Sequence, residues 1–302
     1  VASRTAAFRF KNQERDIAAI GEILGVTTLL EGSVRTAGDR LRVTARLVNA
    51  VDGYQLWSEK FDREMADVFE VQDEIAARVV EALEISVLGS AEVGGSERHS
   101  ADIEAYHLYL KARHARYSKL DLKTALDCYQ GAVRRDPDYS LARIGLAETL
   151  VVLSMYGFVP PNEGMTRARD ELRQAGEATT GSAEAWAVEG LIRLVYDWDT
   201  SSAHAAFDRA IELNPASVTA VAWCSWALVV DERFEEAFDQ ARKLVALEPQ
   251  SSYVNTMAAI TFLIANSTDE AIRLSGTAVR LEPDSLLGTW LHGVANAAAG
   301  RW

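Results

Sequence analysis

The sequence predicts an α+β protein: a small α/β domain followed by an all-α solenoid. Two observations carry this. Prolines recur at a fixed step through the second half, with Pro215, Pro249 and Pro283 each 34 residues apart. In the first hundred residues, Leu41, Val43, Ala45 and Leu47 alternate with Arg42, Thr44 and Arg46 between two turn signals, which is the period of a half-buried strand. The 302 residues suffice for two domains. With 48% apolar and 25% charged residues they exclude disordered and low-complexity classes.

The elements follow in chain order. Residues 16–24 set Ile17, Ile20 and Leu24 on one face of a short helix, with Gly25 as its C-cap. A strand over 27–36 runs into the turn Ala37-Gly38-Asp39-Arg40, the alternating strand follows, and Val51-Asp52-Gly53 turns into a third strand over 54–61. Asp67 caps a helix to about Leu88, built on Val68, Val71, Ile75, Val79 and Leu83. Residues 89–100, with Gly94-Gly95-Ser96, read as a linker.

From residue 101 the chain is repetitive. Each proline closes a phrase: Ala-Ile-Glu-Leu-Asn-Pro at 210–215, Val-Ala-Leu-Glu-Pro at 245–249, Val-Arg-Leu-Glu-Pro at 279–283, and an earlier Ala-Val-Arg-Arg-Asp-Pro at 132–137. Ala125, Tyr129 and Ala132 match Ala203, Phe207 and Ala210, then Ala237, Ala241 and Leu244, then Ala271, Ser275 and Ala278. Ala168, Leu172 and Ala175 form a degenerate copy, and the step of 43 from Ala125 to Ala168 leaves room for an insertion, assigned to Tyr156-Gly157-Phe158-Val159-Pro160-Pro161. Small residues let paired helices approach closely, and the proline separates one pair from the next. A helix pair cannot bury its apolar face alone, so the pairs stack into a solenoid. About five pairs are expected over 101–302, with the last, from about Leu287, incomplete and its apolar edge exposed. The chain opens on Val1 and closes at Gly300-Arg301-Trp302 within a repeat phrase, which reads as a piece of a longer protein.

These repeats resemble the tetratricopeptide repeat family. Trp186 with Gly190 and Trp290 with Gly293 approximate its first-helix pattern, while Val221 and Asn255 depart from it. Residues 1–88 resemble the TolB-like amino-terminal domain family. The resemblance lies in Val1-Ala2-Ser3-Arg4-Thr5, Leu30-Glu31-Gly32-Ser33-Val34-Arg35, Leu56-Trp57-Ser58-Glu59-Lys60-Phe61-Asp62-Arg63 and Val68-Phe69-Glu70-Val71-Gln72-Asp73-Glu74-Ile75. It implies a small α/β domain lacking its first strand and helix. It also implies a place in a bacterial multi-domain signalling protein whose nucleotide cyclase, Ser/Thr kinase or winged-helix part lies upstream.

The chemistry expected of this chain is binding. The formal charge of −13 offers no footprint for nucleic acid or an anionic membrane. No apolar run is long enough to span a bilayer. Phosphate-loop, dinucleotide, nucleophile-elbow and zincin motifs are missing, so no catalytic residue, cofactor or metal is assigned. Cys128 and Cys224 form no metal spacing and read as buried small residues. His107 and His114 lack further ligands. Asp197 and Asp199 flank Trp198 between two helices, where Asp199 or Thr200 serves as an N-cap rather than as an acid/base partner. Glu64, Asp67, Glu70, Asp73 and Glu74 read as a solvated helix start.

Two surfaces are left. The concave groove of the solenoid is lined by first-helix residues, including Leu110, His114, Tyr117, Ile192, Trp226, Val229, Tyr253, Ile260 and Leu263. An apolar lining suits a protein or peptide partner such as an amphipathic helix, with packing between repeats as the plain alternative. Arg35, Arg42 and Arg46, with Arg40, place a basic stripe on one hairpin, which is either a docking strip for an acidic partner or an ordinary exposed sheet face. The resulting reading is a non-enzymatic interaction module. Its rivals are the regulatory part of a cyclase or kinase polypeptide and a self-associating scaffold. The compartment follows from the resemblance alone: cytoplasm, or the extracytoplasmic portion of a membrane-anchored receptor.

Overall fold

The computed structural model describes residues 7, 10, 16–64, 68–82, 100, 102–119 and 121–301. The chain divides into two compact units, residues 1–96 and 97–302. The expected strand from Val1, the cap Asp67, the helix beyond residue 82, and the linker up to residue 99 lie outside the described residues, as do the side chains of Glu70 and Asp73.

In the first unit, α1 (Ile17–Leu24) ends on Gly25, which takes the left-handed conformation at φ 64°. β1 (Thr28–Ala37), β2 (Arg40–Asn49) and β3 (Gln55–Glu64) then form an antiparallel sheet in the order β1-β2-β3. Ala37 pairs with Arg40, so Gly38-Asp39 makes the whole turn, with Gly38 at the positive φ that a two-residue hairpin requires. β2 is central, and its alternation decides which face is buried. Ala45 of β2 and Phe61 of β3 pack against Val71 of α2 (Val68–Ala82), with Val43, Trp57 and Ile75 around them. β1 is shifted by one residue from the expected 27–36, while β2 and β3 are longer than the sequence alone indicates, because pairing extends along the ladder.

The second unit is a stack of antiparallel helix pairs. The first pair is α3 (Ile103–His114), prolonged by a π-helical turn over Ala115–Lys119, with α4 (Leu122–Arg135). The second is α5 (Ser140–Met155) with α6 (Pro161–Gln174). The third is α7 (Ala183–Ile192), prolonged by a π-helical turn over Arg193–Asp197, with α8 (Thr200–Leu213). α9 (Val218–Val230) with α10 (Phe234–Leu247) and α11 (Ser252–Ile264) with α12 (Thr268–Leu281) complete five pairs. α13 (Leu286–Ala298) follows as a single helix, with Leu286 and Trp290 exposed as the repeat register predicts.

The recurring alanines sit where the helices meet. Ala125, Ala132, Ala168, Ala203, Ala210, Ala237, Ala241, Ala271 and Ala278 are all fully buried. Pro137, Pro215, Pro249 and Pro283 each lie in the turn between pairs, just past the end of α4, α8, α10 and α12. In the last three the serine two residues on, Ser217, Ser251 or Ser285, caps the next helix by accepting from a backbone N–H three residues ahead.

The insertion is divided rather than confined to the segment starting at Tyr156. From Ser140 to Pro161 the two helix starts are 21 residues apart, against 16 from Val218 to Phe234. From Pro161 to Ala183 they are 22 apart, against 18 from Phe234 to Ser252. The extra residues therefore lengthen α5 and its turn, and also add the 3-10 turn Gly176–Thr179 before α7. The single alanine step could not separate these two contributions.

Two glycines are set by the ring packed against them. A Cβ on Gly145 would lie 2.4 Å from the Tyr129 ring, and one on Gly190 would lie 2.7 Å from Phe207. Both rings are buried and have no room to retreat. Gly145→Ala should therefore destabilise the array by about 1–3 kcal/mol through overpacking. Gly293→Ala, where a Cβ meets nothing within 4 Å in a helix interior, should instead stabilise it by about 0.5–1 kcal/mol. Urea unfolding of both variants checks the contrast, and equal midpoints would contradict this packing account.

Candidate functional site

Consecutive first helices, α5 with α7, α7 with α9, α9 with α11 and α11 with α13, pack on one another and form the inner side of the stack. The nine groove residues expected from the sequence fall into three groups. Ile192 and Val229 are buried inside the stack and cannot touch a partner. These two are corrected from lining to core: Ile192 has no exposed area at all, although its repeat position is that of a lining residue. Leu110, Trp226, Ile260 and Leu263 are half-buried, and His114 is exposed. Trp226 meets Trp223 edge-on, with ring centroids 4.7 Å apart, and its indole N–H points to the Met257 carbonyl oxygen at 3.5 Å.

Tyr117 and Tyr253 make the third group, and they meet each other. Their rings lie 6.1 Å apart, edge to face. Tyr117 belongs to the π-helical turn after α3 in the first pair, and Tyr253 to α11 in the fifth. The stack thus curls until its first and fifth pairs touch across the concave side.

A charged cluster that no sequence motif marks stands beneath this contact. Arg116 is 1% exposed and donates from Nη2 to Glu148 Oε1 at 3.1 Å. Glu148, on α5, accepts the Tyr117 hydroxyl on its other oxygen. The Arg116 guanidinium also lies 5.1 Å from the centre of the Tyr117 ring. Burial opposes the Arg116 charge, but Glu148 and the surrounding tyrosines outweigh it and hold its pKa above the ordinary value. Burial drives the Tyr117 hydroxyl well up, with the Glu148 charge adding to it, and pushes Tyr253 up to about 12. In the sequence the two stand 32 positions apart on helices that carry other charged residues, so nothing singles them out. Only the curl of the stack shows that both are buried.

The hairpin arginines are largely neutralised within their own sheet. Arg40 and Arg42 both bind the Asp62 carboxylate, whose pKa falls to about 2, and Arg46 binds Glu31 at 2.7 Å. Among the described residues Arg35 has no ion pair, and Arg40 and Arg42 share one carboxylate, so four arginines face two acids and the stripe keeps about half of its positive charge. Asp199 caps α8 by accepting from Ser202 N–H at 3.0 Å, as expected. Cys128 and Cys224 are free and buried, and burial pushes the Cys224 thiol up to about 11, well out of the reactive range. No group of three metal-ligating side chains and no helix long and apolar enough to cross a membrane occurs among the described residues.

No family model matches the chain. The chain is 32% identical over 177 residues, 58% of its length, to the putative adenylate cyclase 3 of Rhizobium meliloti (strain 1021), covering 29% of that protein. It is 22% identical over 174 residues, 57% of its length, to the transcriptional regulator HilA of Salmonella typhimurium, covering 31% of that protein. The chain thus spans less than a third of either relative. A thermophilic tetratricopeptide-repeat protein of Thermus thermophilus, TTC0263, superposes with a TM-score of 0.50 at 15% identity, over 64% of this chain and 99% of that one. The helical array therefore has the tetratricopeptide-repeat fold.

The buried cluster predicts an asymmetry. Glu148→Gln leaves Arg116 without its counter-charge and should cost about 3–5 kcal/mol. Replacing both partners, Arg116→Met with Glu148→Leu, should cost less than that single change. Alkali should weaken the array as well. Tyr253 titrates higher folded than unfolded, so its contribution is intact below pH 10 and is lost as pH rises towards about 12. Tyr253→Phe should flatten that part of the stability–pH curve, and an unchanged slope between those limits would place the titrating group elsewhere.

Proposed function

We propose that this chain is the interaction and regulatory module of a bacterial multi-domain signalling protein, taking a protein partner on the concave side of its helical array. The observation that carries the reading is the half-buried apolar strip of Trp226, Ile260 and Leu263 on successive first helices. A tryptophan anchored on one edge and open on another is a common centre of binding energy. The strip suits the apolar face of a partner helix laid across α9 and α11. Leu110 and His114 extend it towards the first pair, while Tyr117 and Tyr253, engaged with each other, form its boundary.

Binding here is mechanical rather than catalytic. The partner's apolar residues leave water against a preformed surface, so little ordering of the array opposes binding. The first unit, read as a TolB-like domain over residues 1–88, stands between the array and an upstream effector. Similarity to a putative adenylate cyclase over 58% of the chain supports a cyclase in that place. The module itself is proposed to be non-enzymatic.

The test compares the wild type with a Trp226→Ala, Ile260→Glu double variant in affinity capture from bacterial lysate. We expect the variant to lose about tenfold or more of a specific partner, as for a hot-spot residue, while its helical circular dichroism is kept. Equal capture by both proteins would sink the concave-side reading.

A further inference from the structure

The turns joining the two helices of the second to fifth pairs each hold one residue in the left-handed region. Gly157 (φ 76°), Trp198 (φ 59°), Glu232 (φ 59°) and Asn266 (φ 61°) occupy the same left-handed position, as does Gly300 (φ 70°) after α13. The following residue donates back into the helix, as in Phe158 to Leu153 at 2.9 Å, Arg233 to Leu228 at 2.8 Å and Ser267 to Phe262 at 2.8 Å. Glycine adopts this position freely and asparagine tolerates it. A bulky aromatic residue there is an outlier. Trp198 nevertheless occupies it with its side chain 80% exposed, so packing does not account for the residue. Phe158, in the adjacent turn, is 74% exposed, and Tyr196, two residues before Trp198, is exposed as well. The Arg169–Asp197 ion pair ties α6 to the turn that presents Trp198, so the aromatic edge is held on fixed backbone.

The charges around this edge identify what fits it. Arg169 is taken by Asp197, and Arg233 by Glu236 at 2.6 Å. Glu232 and Glu235, in the next turn and at the start of α10, are exposed and have no ion pair among the described residues. Asp199 is ionised and sits directly after Trp198. Free negative charge beside exposed aromatic faces favours lysine and arginine, through the ring quadrupole and the carboxylates together. An anionic occupant is opposed by the same groups and by the net charge of −13.

We propose that the turn edge bearing Phe158, Tyr196 and Trp198 is a docking surface for a lysine- or arginine-rich protein segment, separate from the concave side. Trp198→Gly makes the test clean, because it removes the indole and relieves the positive-φ strain at once. The probe is a short fluorescent peptide of lysine and leucine at helical spacing, with a glutamate–leucine counterpart, read by anisotropy. The lysine peptide should bind the wild type and the glutamate peptide should not. Trp198→Gly should raise the melting temperature yet weaken binding about tenfold, roughly 1.4 kcal/mol. Phe158→Ser should weaken it in the same direction. Asn266→Gly, at an equivalent turn away from the aromatics, should leave the affinity unchanged.

Full affinity in Trp198→Gly and Phe158→Ser would overturn the proposal, since net charge alone would then hold the peptide. Binding of neither peptide, or of both equally, would overturn it too. If the concave-side variant alone loses the peptide, the occupant belongs there instead. If the wild type self-associates in sedimentation and Trp198→Gly does not, the edge takes a second copy of this chain.

Discussion

Close approach of helices is the constraint on which the array depends. Nine alanines at matching positions in the second helices have no exposed area, so each second helix lies against its neighbours almost backbone to backbone. The space an alanine leaves is filled by one ring at a time: Tyr129 lies over Gly145, and Phe207 over Gly190. A helix of this length would be marginal alone, and its stability comes from the face it buries. Because each pair buries that face on the next, the stack is one continuous core.

The curl of the stack follows from this packing, and it changes what the concave side can do. A regular solenoid offers an open inner groove. Here a π-helical turn after α3 adds a residue to the helix end and carries Arg116 and Tyr117 inward. Arg116 meets Glu148 from the second pair, and Tyr117 meets Tyr253 from the fifth. A buried ion pair is weak support for stability, but each charge is costly without the other. The cluster fills one portion of the inner side and leaves the half-buried strip around Trp226.

The outer turns show the opposite economy. Their backbone geometry recurs from the second pair to the fifth, while their residues do not: glycine, tryptophan, glutamate and asparagine all occupy one left-handed position. The scaffold requires only the conformation. Where a residue is ill suited to that conformation and exposed as well, the fold does not explain its presence. Trp198 is such a residue, and Asn266 is not.

By itself the sequence determined the periodic features. The 34-residue step, the alanines and the inter-pair prolines give the helix pairs, and strict alternation from Leu41 to Leu47 gives the central strand. These are local rules that repeat, so a single chain displays them many times. The Asp199 cap and the Gly25 helix end were legible for the same reason, since both act within a few residues. Only the tertiary structure decided what curvature controls. Ile192 and Val229 share the spacing of groove residues but lie in the core, where successive first helices pack on one another. Arg42 and Arg46 looked free until strand register set Asp62 and Glu31 beside them. Arg116 and Glu148 are ordinary charged helix residues in the sequence, and only the meeting of three helix pairs removes both from water.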